Sequence, residues 1–337
     1  MSESPQQRRL KRLEKEGLHQ RNVLVHHSNQ LSFDFMRPSF ADPDMAETLS
    51  EAAKTLSHKK PVNVSQVRQL SPFRYPGGKT WLIPVIREWF QSFETRPKLL
   101  LESFAGGAIV GLTAAAEGWA EHVRLVELDD DMAAVWNLTL HGSDQDFQKF
   151  LSSITTLEFT TENVREIIDA SPRAIHKKAL RTLVKNRAQR GGIMAPGAGL
   201  MKGGENGKGI ASRWYPDTLA KRLKAIRSIK ERLTFVQADA ISEIEQHQDK
   251  EIAHFVDPPY TAGGKKAGRR LYKHNELDHE LLLETVQNCH GPAMLTYDDN
   301  EWIREQAENR GFDLATSTMQ STHLVTMHEL VIIKEQS

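Results

Sequence analysis

Four consecutive residues, Asp257-Pro258-Pro259-Tyr260, combine more reactive character than any other stretch of the chain. They follow Ile252-Ala253-His254-Phe255-Val256, a short apolar run that reads as a buried strand. Ligands of open α/β sheets bind beyond the carboxyl ends of the strands, so the tetrapeptide stands where chemistry is expected. Two adjacent prolines fix the backbone and remove two amide donors, leaving carbonyls free to accept. A carboxylate beside a rigid carbonyl offers two acceptors for the two hydrogens of an amino group, and the Tyr260 ring offers a face for a planar base. Accepting both hydrogens draws the nitrogen toward a tetrahedral geometry and localises its lone pair. Attack on a sulfonium methyl then becomes a matter of orientation and charge stabilisation, with no covalent nucleophile. Taken alone, the same four residues also make an ordinary turn.

Other segments supply what such chemistry needs. Leu101-Glu102-Ser103-Phe104-Ala105-Gly106-Gly107-Ala108 is a strand running into a small-residue turn that opens a helix, which lets a ligand approach backbone amides. About 20 residues on, Leu125-Val126-Glu127-Leu128-Asp129 ends the next strand in an acid, the position from which a carboxylate takes ribose hydroxyls. Asp239 follows Phe235-Val236-Gln237-Ala238 at another strand end, placed either to accept from an adenine amine or to cap the next helix. Phe73-Arg74-Tyr75-Pro76-Gly77-Gly78-Lys79 precedes an amphipathic helix that begins near Thr80. It is not a Walker loop, because that spacing requires glycine where Phe73 sits. Lys79 is better placed to meet a carboxylate.

These residues need a frame, and the chain spells one out. Strands at Lys98–Phe104, Val123–Glu127, Leu233–Gln237, Ile252–Val256 and Ala293–Tyr297 alternate with helices at Ala108–Glu117, Asp130–Leu140, from Ala240, Leu277–Asn288 and Glu301–Asn309. Phe312–Thr316 and Glu329–Lys334 form a closing antiparallel pair. The alternation implies an α/β fold with a mostly parallel, doubly wound sheet. With 337 residues, 39% hydrophobic and 26% charged, the composition is that of a globular domain carrying an insertion. A single cysteine, Cys289, excludes an internal disulfide and a cysteine-rich metal site, and no metal site is expected. The charged start and the lack of a long apolar run point to the cytoplasm and away from a membrane.

Net charge is zero, with 44 basic and 44 acidic residues, but the charge is unevenly placed. Residues 173–232 hold 16 Lys or Arg against three acids, the electrostatic footprint of phosphate contact. Lys177, Lys178, Arg181, Lys185, Arg187, Arg190 and Arg213 are the expected nucleic-acid contacts, joined by Lys265, Lys266, Arg269 and Arg270 after the tetrapeptide. Gly191 to Gly209 reads as a loop that orders on contact with its partner.

As an ordered set, Arg-Tyr-Pro-Gly-Gly-Lys, Glu-x-Phe-x-Gly-Gly, a strand ending in an acid, a basic insertion and Asp-Pro-Pro-Tyr resembles the Dam-like α group of adenine-N6 DNA methyltransferases. The resemblance spans roughly residues 71–334. It implies a Rossmann-like, S-adenosylmethionine-dependent methyltransferase fold with a seven-stranded sheet, residues 71–142 and 233–337, interrupted by a target-recognition domain at 143–232. Residues 1–70 form an extension of unknown role. It further implies that Tyr75 and Lys79 hold the methionine end of the cofactor, and that Phe104, Ala105 and Gly106 hold its amino-acid and sulfonium region. Glu127 would hold the ribose, Leu128 and Asp239 the adenine, and Asp257, Pro258, Pro259 and Tyr260 a base flipped from double-stranded DNA. Ser103 and Ala108 depart from the family, which usually has proline and glycine there. Two readings compete: an RNA amine methyltransferase, against which the upstream Phe73–Lys79 motif speaks, and a DNA-binding regulator without catalysis, against which the complete acceptor set speaks. A partner such as a restriction endonuclease leaves no mark in the sequence.

Overall fold

In a computed structural model, the structure describes residues 67–74, 77–195, 197–204, 207–249, 251–262, 276–320 and 326–336. Residues 1–66, Tyr75, and the cluster Lys265, Lys266, Arg269 and Arg270 lie outside them. Strands β1 (Leu99–Ser103), β2 (His122–Val126), β3 (Leu233–Val236), β4 (Ile252–Val256), β5 (Ala293–Asp298), β6 (Asp313–Gln320) and β7 (Thr326–Lys334) form one sheet in the order β3-β2-β1-β4-β5-β7-β6. The first five are parallel, and β7 runs antiparallel between β5 and β6. This is the mostly parallel, seven-stranded α/β architecture expected, with its closing pair longer than the sequence pattern suggested.

The strands read as continuous apolar runs because both faces are covered. Leu100, Phe255 and Met294 point into one core, while their neighbours Leu101, Val256 and Leu295 point into the other. That alternation follows the two-residue period of a strand. Strand order reverses around β1 and β4, the switch point at which ligand crevices of such sheets open.

Helices flank the sheet. Pro84 stands at the first turn of α1 (Ile83–Gln91), which a 3-10 turn over Lys79–Leu82 precedes. Helix α2 (Ile109–Glu117) ends at Gly118 in the left-handed region, a position that favours glycine. Helix α3 (Asp130–Leu140) is capped by Asp129, whose carboxylate accepts from the Asp131 and Met132 amides, and acids in its first turn complement the helix dipole.

The insertion adds α4 (Asp144–Thr156), α5 (Thr161–Asp169), α6 (Ile175–Ala188) and α7 (Pro216–Ser228). Helix α6 packs on α3, where Thr182 donates to the Asp131 carbonyl and Arg181 and Lys185 meet the Asp131 carboxylate. The glycine-rich loop is already folded over its described residues. Gln189 and Leu200 pair antiparallel, Arg190 N–H donates to Gly199 O, and Met201 N–H donates to Ala188 O. Gly192 is obligatory there, since a Cβ would lie 2.2 Å from the Arg74 carbonyl oxygen. Trp214 stacks on Phe159 at 4.4 Å between ring centroids and fastens the far end of this segment. The sheet is completed by α8 (Ala240–Glu245), α9 (His279–Gln287) and α10 (Glu301–Glu308).

Helix α2 lies so close to β1 and β2 that a Cβ on Gly111 would sit 2.4 Å from Glu102 Oε2 and 2.6 Å from Leu125 Cδ2. Gly111→Ala should therefore destabilise the fold by about 1–3 kcal/mol through overpacking. Thermal unfolding checks this, and a Tm equal to the parent's would show that the helix shifts off the sheet without cost.

Candidate functional site

Asp257 emerges from the end of β4 into a buried charge cluster. Lys79 Nζ lies 2.8 Å from each Asp257 oxygen, 3.1 Å from Glu329 Oε1 and 2.7 Å from the Gly77 carbonyl. Thr296 Oγ1 donates to Asp257 Oδ1 at 2.7 Å, and the Tyr260 hydroxyl donates to Glu329 with Asp257 Oδ1 3.2 Å away. Burial works against a charge on Lys79, but the Asp257 and Glu329 carboxylates outweigh it and hold its pKa above the ordinary lysine value. Burial raises the Glu329 carboxyl, with Lys79 pulling in the opposite sense. Lys79 thus meets carboxylates, as its place in the sequence suggested, but all three of its protons already have protein acceptors.

The turn after β1 is held under tension. Phe104 and Ala108 adopt φ of 62° and 51°, left-handed values that cost a residue with a Cβ roughly 1–2 kcal/mol. Ala108 thus occupies a conformation that favours glycine. Gly106 is clamped on both sides of its peptide: its N–H donates to Glu127 Oε2 at 2.8 Å, and its carbonyl accepts from Trp136 Nε1 at 3.1 Å. Glu127 Oε1 accepts from the Asp129 amide at 2.9 Å. Burial raises the Glu127 pKa against the pull of these amides. Asp239 caps α8 through Oδ1 alone, accepting from Ser242 N at 3.0 Å and Ser242 Oγ at 3.1 Å.

A cavity of about 750 Å³ joins these parts, with Lys79, Phe104, Glu127, Asp239, Asp257 and Pro259 among its walls. It lies at the carboxyl ends of β1, β2 and β4, the expected edge of the sheet. Ala105 and the half-exposed Leu128 line it too, and Gly106 stands between them and Trp136. The fit for a nucleoside-containing ligand rests on the acceptor set: two carboxylates at neighbouring strand ends, Glu127 and Asp239, beside backbone that carries no bulky side chain at Ala105, Gly106 and Gly107.

Glu102, the first residue of the Glu-x-Phe-x-Gly-Gly motif, was given no role by the sequence reading. It is 4% exposed, lines the same cavity, and accepts from Gly111 N–H at 2.8 Å. Burial pushes its pKa up to about 8, the Gly111 and Val110 amides opposing and Asp257 adding to the rise. It is therefore a neutral acid at physiological pH. Its signal in the sequence was an acid inside an apolar strand.

Tyr260 takes a different pose from a free stacking platform. Its hydroxyl turns inward to Glu329, its ring lies 6.1 Å from that of Tyr297, and Lys79 Nζ stands 5.1 Å from its centroid. The reason is that a buried phenol must find an acceptor. By contrast Tyr215, in the insertion, is 51% exposed and lines the cavity.

The basic segment divides in two. Lys177, Lys178 and Arg190 are exposed, and Arg213 is half-buried. Arg181 and Lys185 share one carboxylate, that of Asp131, at 3.2 and 3.1 Å, so the trio keeps a net positive charge. Arg187 is not on the outer surface at all: it is 6% exposed and donates to the Pro72 carbonyl. Packing of α6 on α3 leaves Arg181 and Lys185 part-buried and Arg187 buried at the cavity wall, a different setting from the open surface expected for them.

No protein-family model matches the chain, and no curated relative matches it. Among solved structures it is similar to the rRNA methyltransferase aviRa from Streptomyces viridochromogenes, at a TM-score of 0.33 and 12% identity, covering 88% of this chain and 95% of that one. It is also similar to a methyltransferase from Pyrococcus furiosus, at 0.31 and 15%, covering 75% and 83%. A precorrin-6y C5,15-methyltransferase from Geobacter metallireducens gives 0.34 and 10%, covering 75% and 88%. Likeness at this level decides nothing about chemistry or substrate, and the fold stands on the chain's own strand order.

The neutral Glu102 sets a pH dependence. Its folded pKa of about 8 lies above the unfolded value of 4.5, so the native state keeps a proton that the unfolded chain releases between them. The associated stability is fully present below the unfolded pKa and is lost as pH rises through that window. Glu102→Gln, neutral at all pH, should gain in Tm relative to the parent as pH is raised from about 5 to about 8. A Tm difference that stays constant across that range would place the proton elsewhere.

Proposed function

We propose that this chain is a DNA (adenine-N6) methyltransferase, passing a methyl group from S-adenosylmethionine to the exocyclic amine of an adenine flipped out of duplex DNA. The observation that carries the reading is the single cavity that reaches from the acids at the ends of β2 and β3 to Asp257 and Pro259 at the end of β4. One end suits the hydroxyls and ring amine of a nucleoside, and the other offers acceptors to an amine. Bound S-adenosylmethionine supplies a methyl group activated by its sulfonium.

The chain's own residues do the rest. Each carboxylate oxygen has a second lone pair, so Glu127 can accept from ribose hydroxyls while it keeps the Gly106 and Asp129 amides. Asp239 uses one oxygen on its cap and offers the other to an adenine amine. The Phe104–Gly106 turn leaves backbone close to the amino-acid end. Lys79 and Thr296 fix the Asp257 carboxylate, so that it and the Pro258 carbonyl accept the two amine hydrogens and hold the nitrogen lone pair toward the methyl group. As the C–N bond forms, positive charge develops on nitrogen beside Asp257, an interaction stronger in the transition state than in the ground state. The products are N6-methyladenine, a thioether and a released proton. Flipping the base costs a few kcal/mol, which stacking against an aromatic face offsets; Tyr215 is exposed at the cavity wall for that task, whereas Tyr260 would first have to leave Glu329.

Asp257→Asn keeps an acceptor and loses the charge, so turnover should fall by about 10²-fold or more while cofactor affinity stays near the parent's. Methyl transfer to duplex DNA followed by base mapping reads this out, with total RNA as the parallel substrate. Near-parental turnover would remove Asp257 from the reaction, and methyl groups found in RNA alone would replace the substrate. Glu127→Ala and Asp239→Ala should each weaken S-adenosylmethionine binding about tenfold, because buried donors left unpaired cost roughly 1–3 kcal/mol. Calorimetric titration giving parental affinity for both would move the cofactor to another surface.

A further inference from the structure

Several half-buried cations among the described residues carry an acid. Arg181 and Lys185 share Asp131, Arg124 meets Glu243, Arg304 meets Asp299, and Arg227 meets Asp144. Arg187 breaks the pattern. It is more deeply buried than any of these, yet it donates to a neutral group, the Pro72 carbonyl, and its buried Nε has no hydrogen-bond partner. Arg222, on α7, is likewise held by a backbone carbonyl, donating to Ser71 O at 2.8 Å. Both line the cavity that also contains Asp257. Arg74 lines it as well, on the strand-like segment that the Asn186 side chain grips through the Arg74 amide at 2.9 Å and carbonyl at 2.8 Å.

We propose that Arg187 and Arg222 form a phosphate site within this cavity, taking the phosphate adjacent to the nucleotide whose base enters toward Asp257. The proposal rests on the reading that the substrate is a polynucleotide. Carbonyl partners orient a guanidinium without neutralising it, so the remaining donors of each fork stay directed and charged. A buried charge without a counter-charge costs several kcal/mol, and like charges nearby add to that cost. Burial first, and then the charges of Arg222, Arg74 and Arg213, push the Arg187 pKa down to about 9, with Tyr215 opposing. An arriving phosphate removes both penalties at once, because its oxygens accept two parallel N–H bonds from an arginine fork. A carboxylate has similar oxygens, so the amino-acid end of the cofactor is the competing source of the anion.

A double-mutant cycle between Arg222 and the phosphate separates these sources. The probe is a single-stranded trinucleotide of deoxyadenosine with ordinary phosphodiester links, against the same trinucleotide with uncharged methylphosphonate links. Both are titrated into the full chain in the presence of S-adenosylhomocysteine. The parent should bind the charged probe about tenfold or more tightly than the uncharged one, as expected for a charge-assisted hydrogen-bond pair. In Arg222→Gln that ratio should fall to about one to threefold, with S-adenosylhomocysteine affinity kept. Arg187→Lys, which keeps a charge and loses the fork, should give an intermediate ratio. Because Arg187 is interior and its variants can fail to fold, the half-exposed Arg222 decides the result. An unchanged ratio in Arg222→Gln overturns the proposal. So does a loss of S-adenosylhomocysteine affinity, which would assign the anion to the cofactor. Methyl transfer is read separately: a parent that discriminates the probes but leaves DNA unmethylated keeps the phosphate site and refutes the adenine-N6 reaction.

Discussion

The contact between Lys79 and Asp257 joins parts of the chain that are 178 residues apart, and the geometry of the site follows from it. Lys79 is 2% exposed and comes from the turn before α1, Asp257 ends β4, and Glu329 reaches in from β7. A buried ion pair is weak evidence for stability, since desolvation cancels much of the attraction. Its value here is positional. An ammonium has three donors, and Gly77 O, Asp257 and Glu329 take them. The Asp257 carboxylate is therefore fixed in direction before any ligand arrives, and a fixed acceptor needs no reorganisation when charge develops beside it.

The same economy of position governs the turn after β1. Phe104 and Ala108 sit in left-handed conformations that cost free energy, and the clamp on Gly106 from Glu127 and Trp136 is what keeps the turn in that shape. Glu127 consequently has two tasks. It ties β2 to the turn, and it presents its carboxylate at the cavity wall. Its replacement by alanine would loosen the turn and remove an acceptor together, whereas Asp239, which only caps a short helix, separates the two effects.

Much of this frame was legible in the sequence, for physical reasons that differ by element. Strand β4 and helix α3 have the bounds their patterns suggested, because an apolar run ending in Asp-Pro-Pro and an Asp cap followed by acids are strong local signals. The acids at strand ends could be located by counting alone. What could not be read was which distant group each one meets. Glu329 lies in a strand whose local pattern only says apolar, and nothing near it in sequence points to Lys79 or Tyr260. Glu102 likewise looked like part of a motif, and its raised pKa comes from burial, which outweighs the pull of the Gly111 and Val110 amides, a tertiary fact.

The basic insertion shows the same limit from the opposite side. A local excess of cations pointed to phosphate, but composition does not reveal how those cations are disposed. Folding sorts them into three kinds: exposed, as Lys177 and Lys178; paired with an acid, as Arg181 and Lys185, which share Asp131; and buried without an acid partner, as Arg187. The first kind attracts a polyanion at long range and is screened by salt, while the third acts only at contact, where the local dielectric is low. On the proposed reading, attraction to a polyanion and placement of one nucleotide fall to different arginines and lysines of α6 and α7. The residues whose charge the interior leaves uncompensated are those for which a ligand makes the largest difference.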